Sequence, residues 1–136
     1  MGKIKGGCLC GQIRYESDAE PLLAVLCHCI NCQKNSGTAY STNVAIPRGE
    51  IIIEGKPSIY VDSGDTGNVV NRFFCPNCGS ALLSESDVLD TLTILKAGTL
   101  DDTSWLNPTM EVYCDSAQKW TKRNEKLESH PKMLPV

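Results

Sequence analysis

The feature that most constrains this chain is the placement of its eight cysteines. Seven of them fall into tight groups with the spacings C-x-C, C-x-C-x-x-C and C-x-x-C. The groups are Cys8 and Cys10, then Cys27, Cys29 and Cys32, then Cys75 and Cys78, while Cys114 stands alone. Disulfide frameworks usually link cysteines that are distant in sequence, whereas such tight groups are typical of metal ligands. The pattern therefore predicts zinc sites, ahead of disulfides and of an iron–sulfur cluster.

The first residues of the chain bear on the compartment. They carry two lysines, and no apolar stretch of the kind found in signal peptides follows them. We therefore expect a cytoplasmic protein, and in a reducing cytosol disulfides rarely persist. No apolar run approaches the roughly 20 residues that span a bilayer, so we expect no membrane association.

Length and composition indicate one globular domain over residues 1–136. The chain is 41% hydrophobic and 21% charged, which excludes a disordered or fibrous class. Its formal net charge of -3 becomes more negative when thiolates hold zinc. Because nucleic-acid binding depends on neutralising phosphates, this charge disfavours a nucleic-acid partner.

Local patterns predict short strands separated by Gly, Pro, Asn and Asp. The expected strands are 12–15, 22–26, 38–46, 51–54, 58–61, 69–74, 81–84, 92–96 and 110–114. The turn Gly55-Lys-Pro between 51–54 and 58–61 predicts a hairpin. Helical character is expected only at 32–36 and after residue 117. The fold class that follows is mainly β with small helical insertions.

The cysteine pairs at the two ends of the pattern predict a structural zinc site. In an extended strand Cys8 and Cys10 point to one side, and the turn Cys75-Pro-Asn-Cys78 resembles a zinc knuckle. Together the two pairs supply the four thiolates of a closed tetrahedral site. A redox role for Cys75 and Cys78 is a weaker alternative, because strand-like residues follow them instead of the helix that would lower a thiol pKa.

The middle group predicts a different site. Cys27, Cys29 and Cys32 offer three ligands, which is the pattern of a catalytic zinc with an open position. The alternative is a closed site completed by His28, Cys114 or another residue. Alternation along an extended backbone favours His28 as a neighbour of the site instead of a ligand, and Cys114 as a buried apolar thiol. A sulfur-rich zinc is a weak Lewis acid, so the chemistry it favours is the activation of a thiol that attacks a carbonyl.

Three segments around these cysteines resemble the glutathione-dependent formaldehyde-activating enzyme family, whose domain is also called the centromere protein V domain. They read Gly6-Gly-Cys-Leu-Cys-Gly-Gln-Ile-Arg-Tyr15, Cys27-His-Cys-Ile-Asn-Cys-Gln-Lys-Asn-Ser-Gly37 and Phe74-Cys-Pro-Asn-Cys-Gly-Ser80. Further similarity lies in Ala97-Gly-Thr-Leu-Asp-Asp102 and in 108–120. The resemblance covers nearly the whole chain.

The resemblance implies a β-tent fold of short antiparallel strands held together by two zinc ions. It assigns the structural zinc to Cys8, Cys10, Cys75 and Cys78, and the catalytic zinc to Cys27, Cys29 and Cys32. It also implies a carbon–sulfur lyase that forms or cleaves S-(hydroxymethyl)glutathione from glutathione and formaldehyde. Related domains have chromosomal roles, so a non-catalytic zinc-stabilised binding module for protein or nucleic acid stays as the alternative.

A few polar residues are further candidates near the predicted active site. Lys34 and Ser36 follow the three-cysteine group and could bind substrate, or could simply belong to a short helix with a glycine cap. Arg72 could face a substrate, Glu111 could approach the open zinc position, and Asp101 and Asp102 could act as general acid–base groups. For these residues we nevertheless expect ordinary surface roles: a solvated strand edge for Arg72, an exposed carboxylate at Glu111, and a polar turn at Asp101 and Asp102.

Overall fold

The computed structural model describes residues 3–133, which form eleven strands and one α-helix. In chain order they are β1 (Ile4–Gly7), β2 (Arg14–Ser17), β3 (Leu23–Cys27), α1 (Ile30–Ser36), β4 (Ser41–Pro47), β5 (Ile52–Glu54), β6 (Ser58–Ser63), β7 (Val69–Phe74), β8 (Ala81–Ser86), β9 (Leu92–Lys96), β10 (Met110–Val112) and β11 (Glu128–Ser129). Single turns of 3-10 helix follow β8, β9 and β10. The predicted mainly β fold is confirmed.

The strands form two sheets. The smaller sheet has the order β1-β2-β5 and the larger has the order β11-β10-β3-β4-β9-β8-β7-β6. Most neighbours are antiparallel, but β10 pairs parallel with both β3 and β11. The strand order places β10, from late in the chain, directly beside β3, which leads into the three-cysteine group.

The larger sheet has two different faces. One face packs against the smaller sheet, and the core between them includes Tyr15 together with Val44, Ile46 and Leu95. The register pairs Val44 with Leu95 and Leu95 with Leu83, so an apolar row crosses three strands. Because side chains alternate along a strand, the neighbours of these residues face the opposite side.

That opposite face carries several polar side chains. Ser41 pairs with Cys27, Asn43 with Lys96, and Arg72 with Ser84. All four of the residues Ser41, Arg72, Ser84 and Lys96 are buried in spite of their polarity. The fold therefore assembles a buried polar surface next to the three-cysteine group.

Some sequence predictions about topology are wrong. The strands β5 and β6 do not form a hairpin, because β5 pairs with β2 in the smaller sheet and β6 pairs with β7 in the larger one. The chain thus crosses between the sheets at Gly55-Lys-Pro. The segment after residue 117 contains turns and the short strand β11 instead of a helix. Within residues 3–133, no helix has the length and apolar character needed to cross a membrane.

Candidate metal centres

The first cysteine cluster joins two loops that are distant in sequence. Cys8 and Cys10 follow β1, whereas Cys75 and Cys78 lie between β7 and β8. Their four sulfur atoms lie within 4.8 Å of one another. The separation is 3.6 Å between Cys8 Sγ and Cys10 Sγ, and 3.8 Å between Cys10 Sγ and Cys75 Sγ. Tetrahedral zinc with Zn–S bonds of about 2.3 Å requires S···S separations of about 3.8 Å, so this donor set fits zinc.

Backbone groups and one hydroxyl organise this cluster. The Ile13 N–H donates to Cys8 Sγ at 3.2 Å, and Ser80 Oγ lies 3.2 Å from Cys78 Sγ. Hydrogen bonds from the Ser80 hydroxyl, and from the backbone N–H groups of Ser80 and Cys10, lower the pKa of Cys78 to about 5. A stabilised thiolate is the form that binds metal. Gly79, which closes the turn, has φ 79°, a conformation that favours glycine.

The second cluster lies where β3 runs into α1. Cys27 ends the strand, Cys29 is the N-cap of the helix, and Cys32 lies in its first turn. The Cys29 sulfur accepts the Cys32 N–H at 3.1 Å, so the capping residue is itself a member of the cluster. The three sulfurs lie within 4.8 Å of one another. Three cysteine sulfurs this close together are a donor set that can hold a zinc ion.

The three thiols do not behave alike. Hydrogen bonds from Cys27 and Cys29 lower the pKa of Cys32 to about 2, in spite of its burial. The same interactions, together with burial, raise the pKa of Cys27. One thiolate is therefore stabilised by its neighbours, and further negative charge at the cluster requires a cation.

Two candidate fourth ligands lie outside the cluster. Among residues 3–133, neither His28 nor Cys114 belongs to a group of metal-ligating atoms. His28 is fully buried and its Nε2 lies 2.8 Å from Glu111 Oε1. The Cys114 thiol donates to the Glu111 carbonyl oxygen at 3.6 Å. The arrangement leaves the three-cysteine cluster with three protein ligands in the part of the chain that is described.

Two cations lie beside this cluster: Arg72, which the sequence offered as a secondary candidate, and Lys96, which it did not identify. Arg72 on β7 and Lys96 on β9 are each 8% exposed. Burial opposes the charge of Arg72, but hydrogen bonds to Asp62 and Cys32 raise its pKa above the ordinary value. The expectation of a solvated edge for Arg72 is wrong because β6 pairs outside β7, which makes β7 an interior strand.

Lys96 is held by the strand beside it. Its Nζ donates to Asn43 Oδ1 at 3.0 Å, across the β4–β9 pair. Burial lowers the pKa of Lys96, while the charge of the three cysteines, Cys32 first, acts in the opposite direction. The sequence shows only that Lys96 ends the apolar strand 92–96, with its side chain on the same side of that strand as Ile94.

Glu111 is the second residue whose environment was predicted wrongly from the sequence. It is 2% exposed, and its carboxylate accepts hydrogen bonds from His28, from Arg123 Nε at 3.3 Å and from Ser129 Oγ at 3.2 Å. Burial would raise the pKa of Glu111, but the bonds to His28 and Arg123 hold it below the ordinary value. The exposed carboxylate expected from sequence is buried because β10 lies between β3 and β11.

The structure also places the remaining predicted residues. Lys34 is exposed in the last turn of α1, and Ser36 Oγ donates to the Cys32 carbonyl oxygen at 2.7 Å. Asp101 pairs with Arg14, and Asp102 Oδ1 accepts the Ser104 N–H at 2.9 Å. These two aspartates lie beside a cavity of about 160 Å³ that also includes Trp105 and is not lined by the cysteines.

Comparison with known proteins adds the family and the fold. Residues 3–116 match the sequence profile described as glutathione-dependent formaldehyde-activating enzyme. A crystal structure of a Rhodobacter sphaeroides protein, a Northeast Structural Genomics target, superposes with a TM-score of 0.57 and 19% sequence identity. The match covers 76% of this chain and 91% of that one, and it shows a shared fold. No curated protein matches the chain.

Proposed function

Because the chain belongs to the glutathione-dependent formaldehyde-activating enzyme family, we propose that it is a zinc-dependent enzyme that forms or cleaves a thiol–aldehyde adduct. The observation that carries the proposal is the cluster of Cys27, Cys29 and Cys32, which offers three sulfurs and no fourth protein ligand among residues 3–133. The proposed substrates are glutathione and formaldehyde, and the proposed reaction class is that of a carbon–sulfur lyase.

The two cysteine clusters have different proposed roles, one structural and one catalytic. Cys8, Cys10, Cys75 and Cys78 would hold a closed zinc that connects β1 to the β7–β8 turn. A zinc ion held by Cys27, Cys29 and Cys32 would supply an open position at which a substrate thiol loses its proton near neutral pH. The Cys29 sulfur accepts the Cys32 N–H and Arg72 interacts with Cys32, so neighbouring groups hold two of the three cysteines.

The chemistry is an addition that needs no redox partner. The substrate sulfur donates an electron pair to the carbonyl carbon, so that a C–S bond forms. The π pair of the C=O bond moves to oxygen, which then takes a proton from water. The reverse reaction returns that proton and breaks the C–S bond. The same site therefore catalyses the reaction in both directions, and the concentrations of thiol, aldehyde and adduct determine its net direction.

The test follows adduct exchange in mixtures of glutathione and formaldehyde by NMR exchange spectroscopy, after subtraction of the uncatalysed rate. We expect the zinc-loaded protein to accelerate exchange. Cys29→Ala should lose one zinc equivalent and the acceleration while it stays folded, because the four-cysteine cluster is intact. The matched control is Cys114→Ala, which removes a thiol outside both clusters and should keep both metal equivalents.

Two outcomes would contradict the proposal. Full acceleration by Cys29→Ala would separate the activity from the three-cysteine cluster. A wild-type protein that binds two zinc ions but leaves the exchange rate unchanged would instead favour a zinc-stabilised binding module.

A further inference from the structure

Lys96 is a buried cation that no part of the proposed reaction has yet used. It is 8% exposed and lies on the polar face of the larger sheet, where its strand partner is Asn43. The register places Asn43 two residues from Ser41, which pairs with Cys27. Because residues two apart share a face, Lys96 and Cys27 lie on the same side of the sheet. The electrostatic partners of Lys96 are the three cysteines of the cluster, which favour its charge, and Arg72, which opposes it.

A buried ammonium group is costly unless something compensates it. Asn43 accepts one of its three N–H donors but carries no charge. The other nearby cation, Arg72, is already matched, because its Nε donates to Asp62 Oδ2 at 2.8 Å. The thiolates are therefore the anions that justify a buried charge at Lys96.

The charges at this site leave room for one more anion. Three thiolates and one divalent cation carry one negative charge, and the single positive charge of Lys96 balances it. The Arg72–Asp62 pair adds nothing to the total. An arriving thiolate would bring the site to one negative charge with Lys96 present and to two without it. Since the site is buried, this difference is poorly screened by water.

The four-cysteine cluster differs from the three-cysteine cluster because, within residues 3–133, no buried cation is among its interaction partners. Its thiols receive backbone N–H groups and the Ser80 hydroxyl. Arg14, which interacts with the charge of Cys8, is partly exposed, and Asp101 neutralises it. A closed site needs no cation to attract a further ligand, whereas the three-cysteine site has one built into the adjoining strand.

We propose that Lys96 is a specificity-determining residue, which makes the open position of the three-cysteine site select an anionic sulfur ligand over a neutral one. This inference rests on the proposed function, since it assumes a metal ion with an exchangeable position. Lys96 acts through its charge and changes the affinity for a thiolate. Arg72 has the separate task of fixing Cys32.

The test uses the cobalt(II)-substituted full-length protein, in which sulfur-to-cobalt charge-transfer bands report ligand binding. Two probes are titrated: 2-mercaptoethanol, which binds as a thiolate and carries no carboxylate, and imidazole, which binds as a neutral ligand. Lys96→Met removes the charge and keeps most of the apolar stem. Lys96→Arg is the conservative variant, and Lys56→Met removes the same charge from an exposed position in the turn before β6.

We expect Lys96→Met to weaken 2-mercaptoethanol binding about tenfold or more, the effect typical of one nearby opposite charge, and to leave imidazole binding unchanged. Lys96→Arg should restore most of the thiol affinity, and Lys56→Met should match the wild type. Equal weakening of both probes, or no weakening of either, would overturn the proposal. Loss of a metal equivalent in Lys96→Met would also overturn it, because the charge would then serve the cysteine ligands themselves.

The same titration separates this inference from the proposed function. If wild-type cobalt protein binds neither probe, the three-cysteine site has no open position and the proposed function falls. If it binds 2-mercaptoethanol and Lys96→Met binds it equally well, only the role of Lys96 falls. Cys29→Ala supplies the spectral baseline of the four-cysteine cluster.

Discussion

The buried pair of His28 and Glu111 allows the sharpest stability prediction. Their side chains are 1% and 2% exposed, and Nε2 lies 2.8 Å from Oε1. His28 Nδ1 has no hydrogen-bond partner among residues 3–133, so within that range the ring is hydrogen-bonded only through Nε2, to Glu111. Glu111→Ala leaves both ring nitrogens unsatisfied in a position closed to water.

The cost can be worked from the contacts. A buried polar group left without its partner costs about 1–3 kcal/mol. The bond from Arg123 adds little, since that side chain is 36% exposed. The space left by the lost side chain adds a further cavity cost. We expect Glu111→Ala to lower the free energy of unfolding by about 3 kcal/mol, which corresponds to a fall in Tm of about 10 °C for a domain of this size.

A second His–Glu pair in the same chain provides the control. Glu128 Oε2 lies 2.8 Å from His130 Nε2, the same separation, but their side chains are 63% and 23% exposed. We expect Glu128→Ala to cost less than about 1 kcal/mol, because water replaces the lost contact. The assay is thermal and urea unfolding of the zinc-loaded proteins, with zinc content measured for each. Equal destabilisation by Glu111→Ala and Glu128→Ala would refute the argument from burial.

The pH dependence has a definite sign. The pKa of Glu111 in the folded protein lies below its ordinary value of 4.5. The contribution of its carboxylate to the free energy of unfolding is therefore fully present above pH 4.5. That contribution is lost as the pH falls through the folded-state pKa of Glu111. The stability gap between the wild type and Glu111→Ala should narrow in that acidic range. A gap that stayed constant there would mean that the carboxylate charge plays no part.

Two further predictions concern the four-cysteine cluster. Cys75→Ala should lose one zinc equivalent and the cooperative unfolding transition, because zinc binding is comparable with the whole stability of a small domain; a normal melting curve by circular dichroism would contradict the structural role. Gly79→Ala should cost about 1–2 kcal/mol in unfolding experiments because φ is 79° and the cost is in the backbone alone. Gly98→Ala, at a position with equally open surroundings and no positive φ, should be neutral, and equal effects of the two would argue against the backbone explanation.

Short-range patterns in the sequence carry much of the fold. The strands 69–74 and 92–96 have the predicted bounds in the structure, because β-branched and aromatic residues mark them and turn residues flank them. The cysteine spacings likewise predict the two clusters, since ligands a few residues apart converge through local turns alone. Joining Cys8 and Cys10 to Cys75 and Cys78 needed a further inference, which the sulfur positions bear out.

The contacts that could not be predicted from the sequence depend on the order of the strands in the sheets. Lys96 and Arg72 are buried at one site because β9 and β7 lie on either side of β8 in the larger sheet. Glu111 meets His28 because β10 runs parallel to β3. The hairpin expected at Gly55-Lys-Pro failed for the same reason: the turn connects two sheets. Local propensity gives no information on which distant strands become neighbours.

The position of the eighth cysteine favours an open three-cysteine site over a closed one. Val112 pairs with Cys27, so a strand that continued regularly to Cys114 would place another thiol near the cluster. Instead β10 ends, and Tyr113 takes a left-handed conformation with φ 56°. That conformation costs a residue other than glycine about 1–2 kcal/mol. The chain turns there into a 3-10 helix, and the Cys114 sulfur donates to the Glu111 carbonyl oxygen. A fourth thiolate would close the site and bring in the negative charge that Lys96 is placed to balance. The backbone turn at Tyr113 and the cation on β9 therefore both support the proposed open site, because neither brings a fourth thiolate to the cluster within residues 3–133.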